Sequence, residues 1–356
     1  MNKLFSWARG NREPAGAGGP QKRISLALQG GGAHGAFTWG VLDHLLDDGR
    51  LGIDHMSGAS AGAVNAVMVA DGLVRGGPQE ARKRLANFWR AASIGGNLPD
   101  LPRHAVERMF LANSMPGSTM KAWLNTIGGL LSPAELNPLN INPLKQLIER
   151  FVDFDAVRGD TSRELFISAT NALTGDLRIF TRDEMTADAV MASACLPLLF
   201  GAVEIDGVPY WDGGYTANPP LLPFLQTKNA DVLIVQVYPE MRRRMPESSR
   251  EIMNRASEIG FNAPLLAELR AIDLIQQREK ERGEERHLRL HRIALDELDE
   301  TFDSASRLNN GYAFFDKLRR RGQAAAQGFL DAHFDDIGMR STMNLEAEAG
   351  TEHVRG

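Results

Sequence analysis

The chain has 356 residues, 43% of them hydrophobic and 24% charged, and a formal net charge of −5 at pH 7. That length and apolar fraction describe a globular protein with a sizeable core, organised as one large domain with an extension or as two modest ones. The negative balance argues against nucleic acid as a partner, because phosphate binding needs a broad cationic field, and the single cysteine, Cys195, excludes an intrachain disulfide framework and a cysteine-based zinc site.

Residues 1–22 carry no apolar run of secretory length before Arg9 and Arg12 and are expected to form a flexible tail. The run ISLALQ, Ile24 to Gln29, reads as a buried parallel strand that ends in glycines. Gly30, Gly32 and Gly35 then spell G-x-G-x-x-G, and Asp54 follows at about the 20-residue distance where a dinucleotide fold places its ribose-binding acid. Next, Phe37, Val41, Leu42, Leu45 and Leu46 share one helical face, with Gly49 as the stop signal. A second short strand, DHMS, runs into GASAG and the helical AVNAVMVADGLV, which is cut by Asn65, Asp71 and Gly72 and falls short of a membrane span. Two strand–turn–helix units in succession predict an α/β fold.

PQEARKRLANFWRAAS continues as a helix from Pro78, after which the pattern loosens from Ile94 to Asp153. This stretch is either a helical insertion packed over the core or a cap over an apolar channel. LFISATNALTGDLRIFT reads as two strands joined by a turn at Thr174, Gly175 and Asp176. A helix, DEMTADAVMASACLP, is expected to end at Pro197; AVEIDGVPYWDGGY is a hairpin-like pair, and ADVLIVQVYP a buried β-branched strand. Beyond Glu247 the chain is mainly helical and highly charged, with HLRLHRIAL as the last strand and frayed residues after Asp336.

Gly58-Ala59-Ser60-Ala61-Gly62 is G-x-S-x-G between a strand and a helix, the context in which small residues allow a sharp turn to project a serine hydroxyl above a sheet. A serine needs a base to take its proton. The histidines are His34, His44, His55, His104, His287, His291, His333 and His353, and an order of Ser60, Asp212 and then His287 or His291 would assemble a triad. Both of those histidines, however, lie in a charged, strand-like run. Asp212 sits between the aromatic PYW and two glycines, where an acid can approach another backbone closely, although Asp-Gly is also an ordinary turn.

Taken in order, GGGAHG, GASAG and DGG resemble the patatin-like phospholipase family, over Ile24 to Tyr238. ATNALTG and ASACLPLLF are similar to the family's segments leading to the aspartate. The resemblance implies an α/β fold of three layers, a mainly parallel central sheet flanked by helices, here with a mostly helical C-terminal extension. We therefore expect a tail over 1–22, a catalytic domain over 23–240 with a candidate cap at 94–153, the extension over 241–335 and a second tail over 336–356. The resemblance further implies a Ser-Asp dyad of Ser60 and Asp212 without a catalytic histidine. It assigns the oxyanion hole to the N–H groups of Gly30, Gly31 and Gly32, with His34, Gly35, Gly58, Gly62, Gly213 and Gly214 supporting the loops. His34 is a departure, since the family usually carries Arg or Lys there.

On this reading the substrate is an acyl lipid such as a phospholipid or lysophospholipid, and neither cofactor nor metal is required. Asp54 loses its ribose role, because it begins a strand instead of ending one. A small-ester or polyester hydrolase and a silent lipid-binding protein are the alternatives. The lone cysteine fits a cytoplasmic protein, and the basic runs Met241–Met245 and Lys317–Gly322 suit peripheral contact with anionic headgroups.

Overall fold

Strand β1 (Lys22–Leu28) is buried from Ile24 onward: Ile24, Leu26 and Leu28 enter one hydrophobic cluster while Ala27 enters another, so both faces of the strand are covered. The computed structural model describes residues 20–93, 143–197, 200–242, 244–283, 288–295, 309 and 311–345. Around β1 are β2 (Leu51–Gly58), β3 (Leu165–Asn171), β4 (Leu177–Thr181), β5 (Val203–Ile205), β6 (Val208–Asp212), β7 (Asp231–Gln236) and β8 (Arg289–Ala294). They form one sheet in the order β5-β6-β3-β2-β1-β7-β8, with β4 also paired to β3. The run from β3 to β8 is parallel, and β4, β5 and β6 are antiparallel additions.

One face of the sheet is covered by α1 (Gly35–Asp48), α2 (Ala61–Ala92), α3 (Pro143–Phe151), α4 (Phe154–Gly159) and α5 (Ala187–Ser193), whose apolar residues share the larger cluster. The other is covered by α6 (Ser249–Glu281), which lays Leu265, Leu269 and Ile272 on Val232, Ile234 and Leu290. Helix α7 (Tyr312–His333) returns to the first face and packs on α1. The two helices touch backbone to backbone: a Cβ at Gly40 would overlap the Arg319 carbonyl, and one at Gly322 the Phe37 carbonyl. This is a mainly parallel sheet between two helical layers.

Most of the expected elements are present, with four differences. Strand β2 begins at Leu51, ahead of DHMS, because Lys22 to Ile24 of β1 pair with Leu51 to Ile53. The helices expected on either side of Gly76 form one kinked helix, α2, bent where Gly77 adopts φ 75°, ψ −162° before Pro78. The helix expected from Asp183 to Pro197 is shorter. Thr181 and Glu184 close a capping box on a 3-10 turn, and the Thr186 side chain then accepts the Ala189 N–H to begin α5. Finally, the expected fraying after Asp336 does not hold as far as Leu345. Ile337 is buried, the Gly338 N–H reaches Asp231, and the Thr342 and Met343 N–H groups both reach the Leu290 carbonyl.

Residues 94–142, most of the candidate cap, lie outside the described residues, as do residues 1–19. Among the described residues no helix is long and apolar enough to cross a membrane.

Candidate active site

The turn after β2 carries Ser60 at φ 52°, ψ −123°, a positive φ that among the described non-glycine residues only Asp206 shares. Such a conformation costs of order 1–3 kcal/mol and persists only where surrounding bonds hold it. Here the Ser193 hydroxyl of α5 accepts the Ser60 N–H at 2.9 Å, and the Ala59 carbonyl accepts the Gly62 N–H at 2.8 Å. Gly62 must be small because a Cβ there would collide with the Leu28 carbonyl, and one at Gly58 would meet the Gly62 backbone. The elbow is thus wedged against the end of β1.

Sheet topology brings Asp212 to the same place. Strand β2 pairs with β3 only as far as Gly58 opposite Ile167. Beyond it, β6 takes over that side of β3, with Asp212 opposite Ala169. The aspartate therefore occupies the lane that β2 vacates at the elbow, although the two residues are far apart in sequence. Its N–H is held by the Cys195 carbonyl at 2.8 Å, its carbonyl accepts the Thr170 hydroxyl at 2.9 Å, and its Oδ1 accepts the Gly214 N–H at 2.7 Å. Gly213 has no room for a side chain against the Ser168 carbonyl. Asp212 is 1% exposed. Burial pushes its carboxyl up to about 7, a rise that hydrogen bonds from the Gly214 N–H and the Ser60 hydroxyl only partly offset.

The glycine loop lies alongside. Gly30 is so close to Ala59 and Ser60 that a Cβ would stand 2.8 Å from the serine Cβ. Its N–H, however, is already donated to Asn218 Oδ1 at 2.8 Å, which removes Gly30 from the expected set of oxyanion donors. Gly31 and Gly32 differ: among the described residues nothing accepts from either N–H. Gly31 is pressed against Val237, Gly32 is exposed at φ 58°, and Gly35 starts α1 against Ala61. His34 is buried with its ring 6.2 Å from that of Phe314 in α7, and its N–H returns to the Gly31 carbonyl at 3.2 Å.

Sequence reasoning missed the network that holds this loop. Gln29 and Asn218 are wholly buried, and Asn262 of α6 nearly so. The Gln29 side chain accepts the Val237 and Tyr238 N–H groups at 2.8 and 2.9 Å and donates to Asn262 at 2.9 Å. Asn218 accepts from Gly30 and donates to the Phe261 carbonyl at 3.2 Å. The available signal was the polar Gln29 closing an otherwise apolar strand.

The other sequence candidates lie elsewhere. Asp54 sits within β2, paired with Arg23 and accepting the Asn229 amide at 2.8 Å. His291 is on β8, three strands from β2 and so roughly 14 Å away across the sheet. It is held between Asp231 at 3.1 Å and the Thr342 hydroxyl at 3.2 Å. His104, His287 and His353 lie outside the described residues.

A doubly covered, mainly parallel sheet, a glycine loop after one of its inner strands and a strained serine elbow beside a buried aspartate define a class of α/β folds. The chain belongs to one such family: the model of the patatin-like phospholipase family matches residues 26–225. No curated protein matches it. Among solved structures, VipD from Legionella pneumophila is 14% identical with a TM-score of 0.39, over 87% of this chain and 67% of that one. ExoU in complex with SpcU, from the type III secretion system of Pseudomonas aeruginosa, is 18% identical with a TM-score of 0.33, over 87% and 53%. A further structure of type III effector protein ExoU is 15% identical with a TM-score of 0.32, over 88% and 54%. The chain thus spans about half the length of the ExoU chains.

Proposed function

We propose that this protein is a serine hydrolase of acyl lipids, with Ser60 as nucleophile and Asp212 as base. The observation that carries the reading is a serine in a strained elbow beside a buried carboxylate whose pKa burial has raised to about 7, where a carboxylate becomes a useful base. Asp212 takes the Ser60 proton as the alkoxide attacks an ester carbonyl. The Gly31 and Gly32 N–H groups receive the tetrahedral oxyanion. Protonated Asp212 then gives its proton to the departing alcohol. In the second half Asp212 deprotonates a water that attacks the acyl-serine, and the proton passes back to Ser60 as the acid leaves. Family membership supports acyl lipids as the substrate class.

A fluorophosphonate probe, with a panel of phospholipid, lysophospholipid and short-chain esters run beside Ser60→Ala, tests this reading. We expect labelling of the native protein, lipid hydrolysis, and loss of both in the variant with an unchanged melting temperature. Hydrolysis surviving at more than a few per cent in Ser60→Ala would remove the dyad, and turnover confined to short esters would move the substrate class to small esters.

A further inference from the structure

The first turns of α6 carry their polarity inside out. Toward the protein they direct Asn254, Glu258 and Asn262, which are 7%, 2% and 4% exposed. The exposed positions between Ile252 and Ala263 are Ile252, Met253, Ala256, Ile259, Gly260 and Ala263, none with a charge or a hydrogen-bonding group. A helix lying on a protein in water normally does the reverse. Met241 and Met245, in the segment leading into α6, add two more apolar side chains that are 82% and 81% exposed. A contiguous apolar surface of this kind marks contact with something other than water.

The helix that carries the patch also packs on the site through its inward side. Phe261, on the same part of α6, stacks on Tyr238 at 5.5 Å, lies 5.2 Å from the ring of half-exposed Tyr215, and presses on Gly214, whose N–H holds Asp212. Asn262, one residue on, ties α6 to Gln29 at the root of the glycine loop.

We propose that this face of α6, with Met241 and Met245, seats on the hydrocarbon of an acyl-lipid surface and so sets the mouth of the site against its substrate; the inference rests on the lipid-hydrolase reading above. Three features select a lipid occupant. The helix that bears the patch packs on the candidate site, in a chain of the patatin-like phospholipase family. The exposed face of α6 from Ile252 to Ala263 is made of Ile, Met, Ala and Gly, without the Tyr, Trp or Arg anchors that centre protein interfaces. Two arginines close by in the chain already face acids: Arg242 binds buried Glu258 at 3.1 Å, and Arg244 binds Glu251 at 3.2 Å. With those charges compensated, the attraction is apolar and insensitive to salt.

The test uses the full chain carrying Ser60→Ala, so that binding is read without chemistry, and pure phosphatidylcholine vesicles at low and high salt. We expect the protein to co-sediment at both, and Ile252→Glu with Ile259→Glu to lower the partition coefficient by about tenfold or more, because two apolar side chains lose their burial. On the Ser60 background those substitutions should leave fluorophosphonate labelling and the melting temperature unchanged; if glutamate proves disruptive, Ile252→Ser with Met253→Ser serves instead and should weaken partition severalfold. Absence of partition by the parent, or partition indifferent to both pairs, overturns the proposal. So does self-association that the substitutions abolish in sedimentation velocity with no vesicle binding, which assigns the face to a second copy. Failed partition with intact labelling removes the docking face alone, whereas failed labelling with intact partition removes the hydrolase reading alone.

Discussion

The burial that would suit Asp212 to the proposed role of base also makes it a burden on the fold. Between the ordinary carboxylate range near 4 and its folded value of about 7, the native state keeps a proton that the unfolded chain has released, so this group's contribution to stability falls as pH rises through that window. Asp212→Asn carries no such penalty. Its melting temperature should exceed that of the native protein more at pH 8 than at pH 5, by the equivalent of roughly 2–4 kcal/mol, while activity is lost. Equal differences at the two pH values would contradict the raised pKa. For the native enzyme, kcat/KM should climb from pH 5 and level off above about 7, because the base must be ionised. Asn218 supplies a second residue-scale prediction. Asn218→Ala leaves the Gly30 N–H without its partner, removes a tie to the Phe261 carbonyl of α6 and loosens the glycine loop. We expect kcat and the fluorophosphonate labelling rate to fall about 10–100-fold with KM little changed. A lowered melting temperature with normal labelling would restrict Asn218 to a structural role. Arg242 shows how a residue can mislead in isolation. It reads from sequence as a headgroup contact, yet neutralising it would remove one of the two arginines, Arg242 and Arg255, that hold the buried Glu258 carboxylate, so lost vesicle binding in such a variant would report damage to α6.

At the scale of elements, the contact between α1 and α7 is the most sharply constrained. Gly40→Ala and Gly322→Ala each force apart helices that touch at their backbones, and overpacking of this kind typically costs about 1–3 kcal/mol. Because α1 starts at Gly35 directly after the glycine loop, activity should decline along with stability; urea denaturation and an ester assay on the same samples check both. A shift in midpoint smaller than for Gly260→Ala, where a Cβ meets nothing within 4 Å, would show that the helices can separate freely. Elements with strong local signals were legible: β1 from its apolar run, the end of α1 from Gly49 in the left-handed conformation, and the β3–β4 turn from Thr174-Gly175-Asp176. The extent of α5 was not. Its last turn is given up so that the Cys195 carbonyl can hold the Asp212 N–H, a demand set by a strand later in the chain.

Across the whole molecule, the segment after residue 240 is woven into the body that contains the site. Strand β8 extends the sheet beside β7, α6 covers one face and α7 the other, and the residues from Asp336 to Leu345 return to β8. Asp231, Arg289, His291 and Thr342 join these parts. Although burial opposes its charge, hydrogen bonds from His291, Arg289 and the Gly338 N–H hold the Asp231 carboxyl well below the usual carboxylate range. A chain ended after Pro239 would expose β7, lose half of the second cluster and release Gln29 from Asn262. We expect it to show no cooperative thermal transition by circular dichroism and no fluorophosphonate labelling, although it retains every residue that the family model matches.

The amino-acid sequence by itself determined the α/β class, the serine elbow, the glycine loop and the aspartate before two glycines, because each depends on a few neighbouring residues: apolar runs, small side chains at a tight turn, and acids at a strand end. Only the tertiary structure decided how these pieces meet. Asp212 reaches Ser60 because β2 stops and β6 fills its lane, a consequence of strand pairing between distant segments. Gly30 loses its N–H to Asn218, and His291 is drawn to Asp231, through contacts that local patterns do not encode. Which face of α6 meets solvent was likewise set by the partners of its polar side chains, since Glu258 and Asn262 turn inward to Arg242 and Gln29 and leave the apolar residues outside.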